Sequence, residues 1–277
     1  MKRCFTLFLL VLFMAFPVIA SQRDKLTIKP ALVRMQNENL APGITLNWTP
    51  LYYDTVLLGA TLPQYLKLSL DLEGTLIPKP EFNPKTQQAN FFFSYLVSLR
   101  KAEELTLGQE PVGAPDFGSI YIGAKALYET SQDFSEQNLA LGAEIRYVTS
   151  HRQAIPNFYA SLAMVSPLRS ALRNALNESN NNFSRIDLQM EWTLRFGRII
   201  IHPEARYFYS IQLQEKLADA GLDQGLYGSV SLGYMLSRSG EGIFRYLQYL
   251  FVQYNRGQLP VYTDERETIE MGFTFGI

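Results

Sequence analysis

The chain has 277 residues, of which 47% are apolar, 13% aromatic and only 18% charged, and its formal charge is −1, where an average domain is about a quarter charged. Without a basic stretch or a basic excess, a nucleic-acid-binding role is excluded. The single cysteine is Cys4, so internal disulfides are excluded, and loss of the N-terminus would also remove thiol catalysis and thiolate metal sites.

Met1-Lys2-Arg3 is basic, Cys4 to Phe16 is apolar, Pro17 breaks the run, and Val18-Ile19-Ala20 precedes Ser21. That order of charge, short apolar core and small-residue exit predicts a secretory leader over residues 1–20. Its core is shorter than the roughly 20 residues of a spanning helix. Cys4 precedes the apolar run, which argues against a lipid-anchored cysteine. Removal of Lys2 and Arg3 takes the charge from −1 to −3. Residues 21–42 are expected to be a periplasmic lead. Leu26–Met35 has strand character, but Pro30 at its middle would remove a ladder hydrogen bond. Residues 43–277 are expected to form one domain.

From there the chain alternates with period two. Leu66, Leu68, Leu70 and Leu72 interleave with Lys67, Ser69, Asp71 and Glu73. Ile186, Leu188, Met190, Trp192 and Leu194 face away from Arg185, Asp187, Gln189, Glu191, Thr193 and Arg195. Such alternation makes strands with one dry and one wet face. A soluble sandwich alternates too, but its strands run about 5–6 residues, whereas these run about 9–13, the span of a tilted membrane strand. About twelve are predicted: Gly43–Pro50, Asp54–Leu62, Tyr65–Ile77, Asn90–Lys101, Gly118–Thr130, Asn138–Ser150, Asn157–Ser166, Ser184–Phe196, Arg198–Gln212, Gly225–Ser237, Ile243–Asn255 and Thr268–Ile277. Tyr128, Tyr147, Phe158, Tyr207 and Tyr209 sit on apolar faces near strand ends, where interface girdles form. Pro167–Phe183, Leu213–Gln224, Pro78–Ala89 and Arg256–Glu267 are longer connections on one side. The tight turn at Gly197 and His151–Pro156 lie on the other. Two connections break the pattern, the long Ala102–Phe117 and the short Leu51–Tyr53.

The last strand sets Ile269, Met271, Phe273, Phe275 and Ile277 against Glu270, Gly272, Thr274 and Gly276. With the leader and the strand pattern, this terminus resembles bacterial outer-membrane β-barrel proteins, whose closing strand carries a signal read by the barrel assembly machinery. The usual signal ends in Phe or Trp, whereas Ile277 ends this one. The resemblance implies an all-β, single antiparallel up-and-down transmembrane barrel in the cell outer membrane. Its expected partners are outer-membrane lipid and the assembly machinery, with no nucleic acid and no cofactor.

Apolar parity toward lipid leaves the other parity for the lumen: Lys67, Asp71, Glu73, Arg100, Lys125, Glu129, Glu144, Arg146, Arg185, Asp187, Glu191, Arg195, His202, Glu204 and Arg206. A charge on lipid near the midplane costs about 2–4 kcal/mol, so confinement to one parity is expected. The turn at Gly197 brings Glu191 near residues 203 and 204, with Arg195 and Arg206 as the nearest cations. Two lumens fit this set, a barrel filled by salt bridges or a narrow pore for small polar solutes. Pro167–Leu176 reads as a short helix at the mouth, with Arg169 and Arg173 as candidate constriction residues. A closed structural, receptor or adhesin barrel remains an alternative. Outer-membrane lipid hydrolases carry a His and a Ser two apart on a strand. His151 precedes Arg152-Gln153-Ala154 and His202 precedes Pro203-Glu204, so that chemistry and its catalytic residues are not expected.

Overall fold

A computed structural model describes residues 25–35, 40–57, 64–78, 83, 85–97, 119–148, 155–236 and 247–276. Its strands are β1 (Lys25–Met35), β2 (Leu40–Leu57), β3 (Gln64–Leu76), β4 (Gln87–Val97), β5 (Ser119–Thr130), β6 (Glu136–Val148), β7 (Asn157–Ser170), β8 (Phe183–Glu191), β9 (Leu194–Phe196), β10 (Ile199–Ile211), β11 (Gln224–Met235), β12 (Leu247–Gly257) and β13 (Arg266–Gly276). Each pairs antiparallel with its neighbours, and β1 pairs with β13 to close the ring. β8 and β9 are two parts of one strand. Both pair with β10 in a single register, and the gap between them faces Pro203, which has no N–H to donate. The described wall is therefore a closed barrel of twelve strands.

Two expectations are corrected. Lys25–Met35 is not a periplasmic lead; it is the strand on which closure depends. Its ladder to β2 runs through Pro30, and the ladder to β13 is interrupted at Lys29 and Pro30 without a register shift. The missing donor thus costs a local bond and not the strand. Gly43–Pro50 and Asp54–Leu62 are not two strands joined by a turn at Leu51–Tyr53. They belong largely to the single β2, whose register against β3 shifts between Trp48 and Leu51. The shift is a bulge at Thr49–Pro50. One strand gained and two merged leave the count at twelve. The leader at residues 1–20, His151, Arg100 and the connection Ala102–Phe117 lie outside the described residues.

The strand alternation sorts the two faces. Ile122, Leu141, Ile145, Leu162, Met164, Leu188, Leu226, Leu232, Val252, Met271 and Phe273 are all exposed on the outer wall. Water would not tolerate a continuous apolar belt of this size on a monomer. Lipid requires one, and it requires a sheet with no free edge. This is the architecture of an outer-membrane β-barrel, and the chain is a protein of that membrane. Connections at residues 131–135, 171–182, 212–223 and 258–265 share one end with residues 77, 78, 83, 85 and 86; the turn at Gly197, with φ of +61°, is at the other. The first end is the outer one, by the rule of longer outside loops.

Candidate functional site in the barrel lumen

Inward-facing charges of β5, β8 and β10 form a dry ring. Arg185 donates to Glu129 at 2.7 Å and to Asp187 at 2.8 Å. Arg206 donates to the same two carboxylates, at 2.8 Å each. Arg185 and Glu129 are both 0% exposed. Two cations and two anions cancel here, which is how charges endure without water. One guanidinium nitrogen, Arg185 Nη1, is buried with no partner. Beside the ring, Lys125 reaches Glu144 at 2.7 Å, Arg146 donates to the same Glu144, and the Arg146 guanidinium lies 3.5 Å from the centre of the buried Phe92 ring. Together these side chains fill the part of the lumen against β4–β8.

The part against β1–β3 and β10–β13 is open. It holds a chamber of about 490 Å³, lined by Lys29, Glu73, Lys85, Glu191, His202, Glu204 and Tyr227, among others. Glu191 and Glu204 are direct cross-strand neighbours. Gln189 sits between them, donating to Glu191 at 2.8 Å and to Glu204 at 3.4 Å, and Tyr159 Oη donates to Glu191 at 3.1 Å. Lys85 pairs with Glu270 at 3.0 Å, and Asn255 donates to that carboxylate at 2.7 Å. His202 Nδ1 and Thr193 Oγ1 are 3.0 Å apart.

The chamber ends at the connection between β12 and β13. Leu259, Val261 and Tyr262 are each at most 5% exposed, and with Tyr227 they form an apolar cluster. Leu259 lines the chamber, whereas Pro260, Val261, Tyr262 and Thr263 line a second cavity of about 320 Å³ at the outer mouth. One turn of chain thus separates the two spaces. It is tied in place by Gln258 donating to Tyr262 O at 2.7 Å and also to Gly221 O, by Tyr262 Oη donating to Lys85 O at 3.0 Å, and by Arg266 donating to Asn83 O at 2.9 Å. Burial pushes the Tyr262 hydroxyl up to about 12, so it stays a neutral donor. The Arg266 guanidinium stacks 3.7 Å from the centre of the Tyr262 ring.

The expected lumen residues fall into three groups, with Asp71, Lys67 and Arg195 apart from them. Glu129, Arg185, Asp187 and Arg206 make the dry ring, and Lys125, Glu144 and Arg146 the cluster beside it. Glu73, Glu191, His202 and Glu204 line the chamber, as does one side of Arg206. Asp71 accepts from Thr49 at 2.9 Å and from Ser69 at 3.3 Å. Lys67 lies in β3 opposite Ser94, and its side chain is outside the description. Arg195 pairs with Ile200 and is exposed at the inner rim, where it donates to Gly197 O at 3.2 Å. The expectation that Arg195 or Arg206 bridges Glu191 and Glu204 is corrected: Gln189 does so, because Glu129 and Asp187 hold Arg206.

The predicted short helix exists as α1 (Ala171–Ala175), begun by Ser170 accepting from Arg173 N. Arg173 is buried, lines the outer cavity, and donates to Ser179 O at 3.0 Å and Gln214 Oε1 at 2.8 Å. Arg169 is exposed on β7 and lines neither cavity. What narrows the mouth is instead Leu259–Tyr262, which the sequence reading passed over. Its signal was an apolar run inside an otherwise polar outer connection. Lys29, Lys85 and Glu270 were also missed, the first because β1 was read as a lead and the second because Lys85 lies in a loop.

No protein-family model matches the chain, and no curated protein sequence matches it. Among solved structures it is similar to the NanC porin, at 8% identity and TM-score 0.46 over 91% of this chain and 100% of that one. It is also similar to OmpT of Vibrio cholerae, at 7% and 0.41 over 94% and 99%, and to the β domain of the Bordetella autotransporter BrkA, at 10% and 0.32 over 91% and 98%. Likenesses this distant carry no argument about function.

Proposed function

We propose that this outer-membrane barrel is a narrow channel for small polar solutes, shut at its outer mouth by residues 258–263, and that it has no catalytic role. One observation carries the reading: a polar chamber and a polar outer cavity lie on either side of the Leu259–Tyr262 turn. A chamber of about 490 Å³ is within the range of small-molecule sites, about 300–1,000 Å³. Hydrolysis of lipid finds no support in His202, which faces the chamber and Thr193 rather than the lipid. Export by residues 1–20 and insertion through the closing strand β13 belong to the same proposal. One observation favours a second reading, a barrel that transports nothing: the buried ring around Arg185 fills part of the lumen.

Single-channel recording of the full chain in planar bilayers separates the two readings, with a variant in which residues 259–263 are replaced by two glycines. The channel reading expects rare, brief steps from the full chain and steady current from the variant. Silence from a folded variant supports the closed barrel and refutes the channel.

A further inference from the structure

The chamber has an unbalanced wall. Most lumen charges are matched locally: Arg185 and Arg206 against Glu129 and Asp187, and Lys85 against Glu270. No ion pair joins Glu73, Glu191 or Glu204 to any described residue. Among the described side chains Lys29 is the remaining chamber-lining cation, so three carboxylates face one ammonium there and the excess is −2. Lys125 and Arg146 offset Glu144 and Asp71 and leave that excess unchanged.

The three carboxylates come from opposite walls. Glu73 stands on β3, and Glu191 and Glu204 stand side by side on β8 and β10. Glu73, Glu191, Glu204 and Lys29 nonetheless line one and the same chamber. Among the described residues, the bridge between Glu191 and Glu204 is the neutral Gln189. Two like charges held together by a neutral amide leave a field that a mobile cation can relieve and an anion cannot. Arg146 acts on Glu191 from the side, with its Nε already paired to Glu144 and its guanidinium over the Phe92 ring.

We propose that Glu73, Glu191 and Glu204 are the selectivity residues of the pathway and that they make it one for cations, small organic amines included, rather than for anions. This rests on the channel reading. Lys29 is the counterweight that keeps a cation from being held too tightly to leave, since conduction needs sites that release as well as attract.

Reversal potentials in a potassium chloride gradient test this on the variant with residues 259–263 shortened, which supplies a steady current. A unit charge about 6 Å from the path, screened by about 0.1 M salt with a Debye length of about 10 Å, changes the local cation-to-anion ratio by about threefold. The shortened chain is expected to prefer potassium over chloride by about tenfold. Glu191→Gln with Glu204→Gln should bring that ratio near unity, and Glu73→Gln alone, from the opposite wall, should lower it about threefold. Putrescine should carry current where succinate of similar length does not. Heat-modifiable migration on gels confirms that each variant is folded. An anion preference or no preference in the shortened chain overturns the inference and spares the channel reading, and so does a preference that all the Gln variants keep. A silent shortened chain overturns both.

Discussion

Removing Arg206 tests whether the ring in the lumen is dry. Its guanidinium is 7% exposed and contacts Glu129 and Asp187 at 2.8 Å each. At an effective dielectric of about 20, unit charges at that distance attract by about 6 kcal/mol. Arg206→Ala forfeits two such contacts and regains the hydration that the guanidinium gave up. What remains is Arg185 facing two buried carboxylates, one charge too few. Breaking a buried pair in this way costs about 3–5 kcal/mol. Urea unfolding in detergent micelles, followed by the fluorescence of Trp48 and Trp192, should show a loss of that size. Adding Asp187→Asn removes the surplus charge and should recover part of the loss, so the two substitutions should not be additive. A loss below about 1 kcal/mol, with additive effects, is the behaviour of water-screened charges. That result would refute the filled half of the lumen and with it the geometry that confines the solute path.

Other consequences are more local. A Cβ on Gly142 would sit 2.1 Å from Leu162 O and 2.5 Å from Ala163 Cα, so Gly142→Val must open the β6–β7 ladder; a stability loss of about 1–3 kcal/mol is expected by the same unfolding assay. Burial works to raise the Asp133 carboxyl, but hydrogen bonds from Ser131 and Ser135 outweigh it and hold it below its usual value. Its contribution to the order of the outer turn is therefore present above the unfolded value of about 3.9 and lost as pH falls through the folded one. Protease cleavage at residues 131–135 should rise only in that acid window, and Asp133→Asn should flatten the profile. Asn180→Cys, in the exposed connection after α1, should react with an impermeant thiol reagent on intact cells, whereas Arg198→Cys at the Gly197 turn should not. The opposite pattern would invert the barrel.

Much of the wall was legible because lipid and lumen impose opposite demands on alternate residues. Arg185, Asp187, Gln189 and Glu191 could be placed inside from sequence since no charge on that strand breaks parity. The Gly197 turn places Glu191 near residues 203 and 204, and the structure pairs it with Glu204, because a hairpin register follows from its turn. β1 was hidden by Pro30, whose cost is one interruption in one of two ladders. Closure supplied the reason to bear it, since β13 needs a partner in lipid. The bulge at Thr49–Pro50 hid the continuity of β2, since a proline beside a phase shift reads as a turn. Which cation meets which anion was not legible. Glu129 reaches Arg185 and Arg206 across the lumen, from strands that are not its neighbours, and that depends on the curvature of the closed sheet. The Leu259–Tyr262 turn was hidden for a different reason. Alternation describes strands and says nothing about which loop folds inward.

The most direct test of the account is access to the chamber from outside. Ser231 lines the chamber on β11, and the sequence has no cysteine apart from Cys4. Ser231→Cys therefore offers one reporter inside the lumen. In cells lacking their major porins, a small cationic thiosulfonate added outside should modify it slowly while residues 258–263 are in place. Replacing residues 259–263 with two glycines should quicken that modification by at least about tenfold, the factor of one pathway blocked by about 1.4 kcal/mol or more. Fast modification with the turn intact, or equally slow modification without it, would contradict the claim that this turn is what closes the lumen.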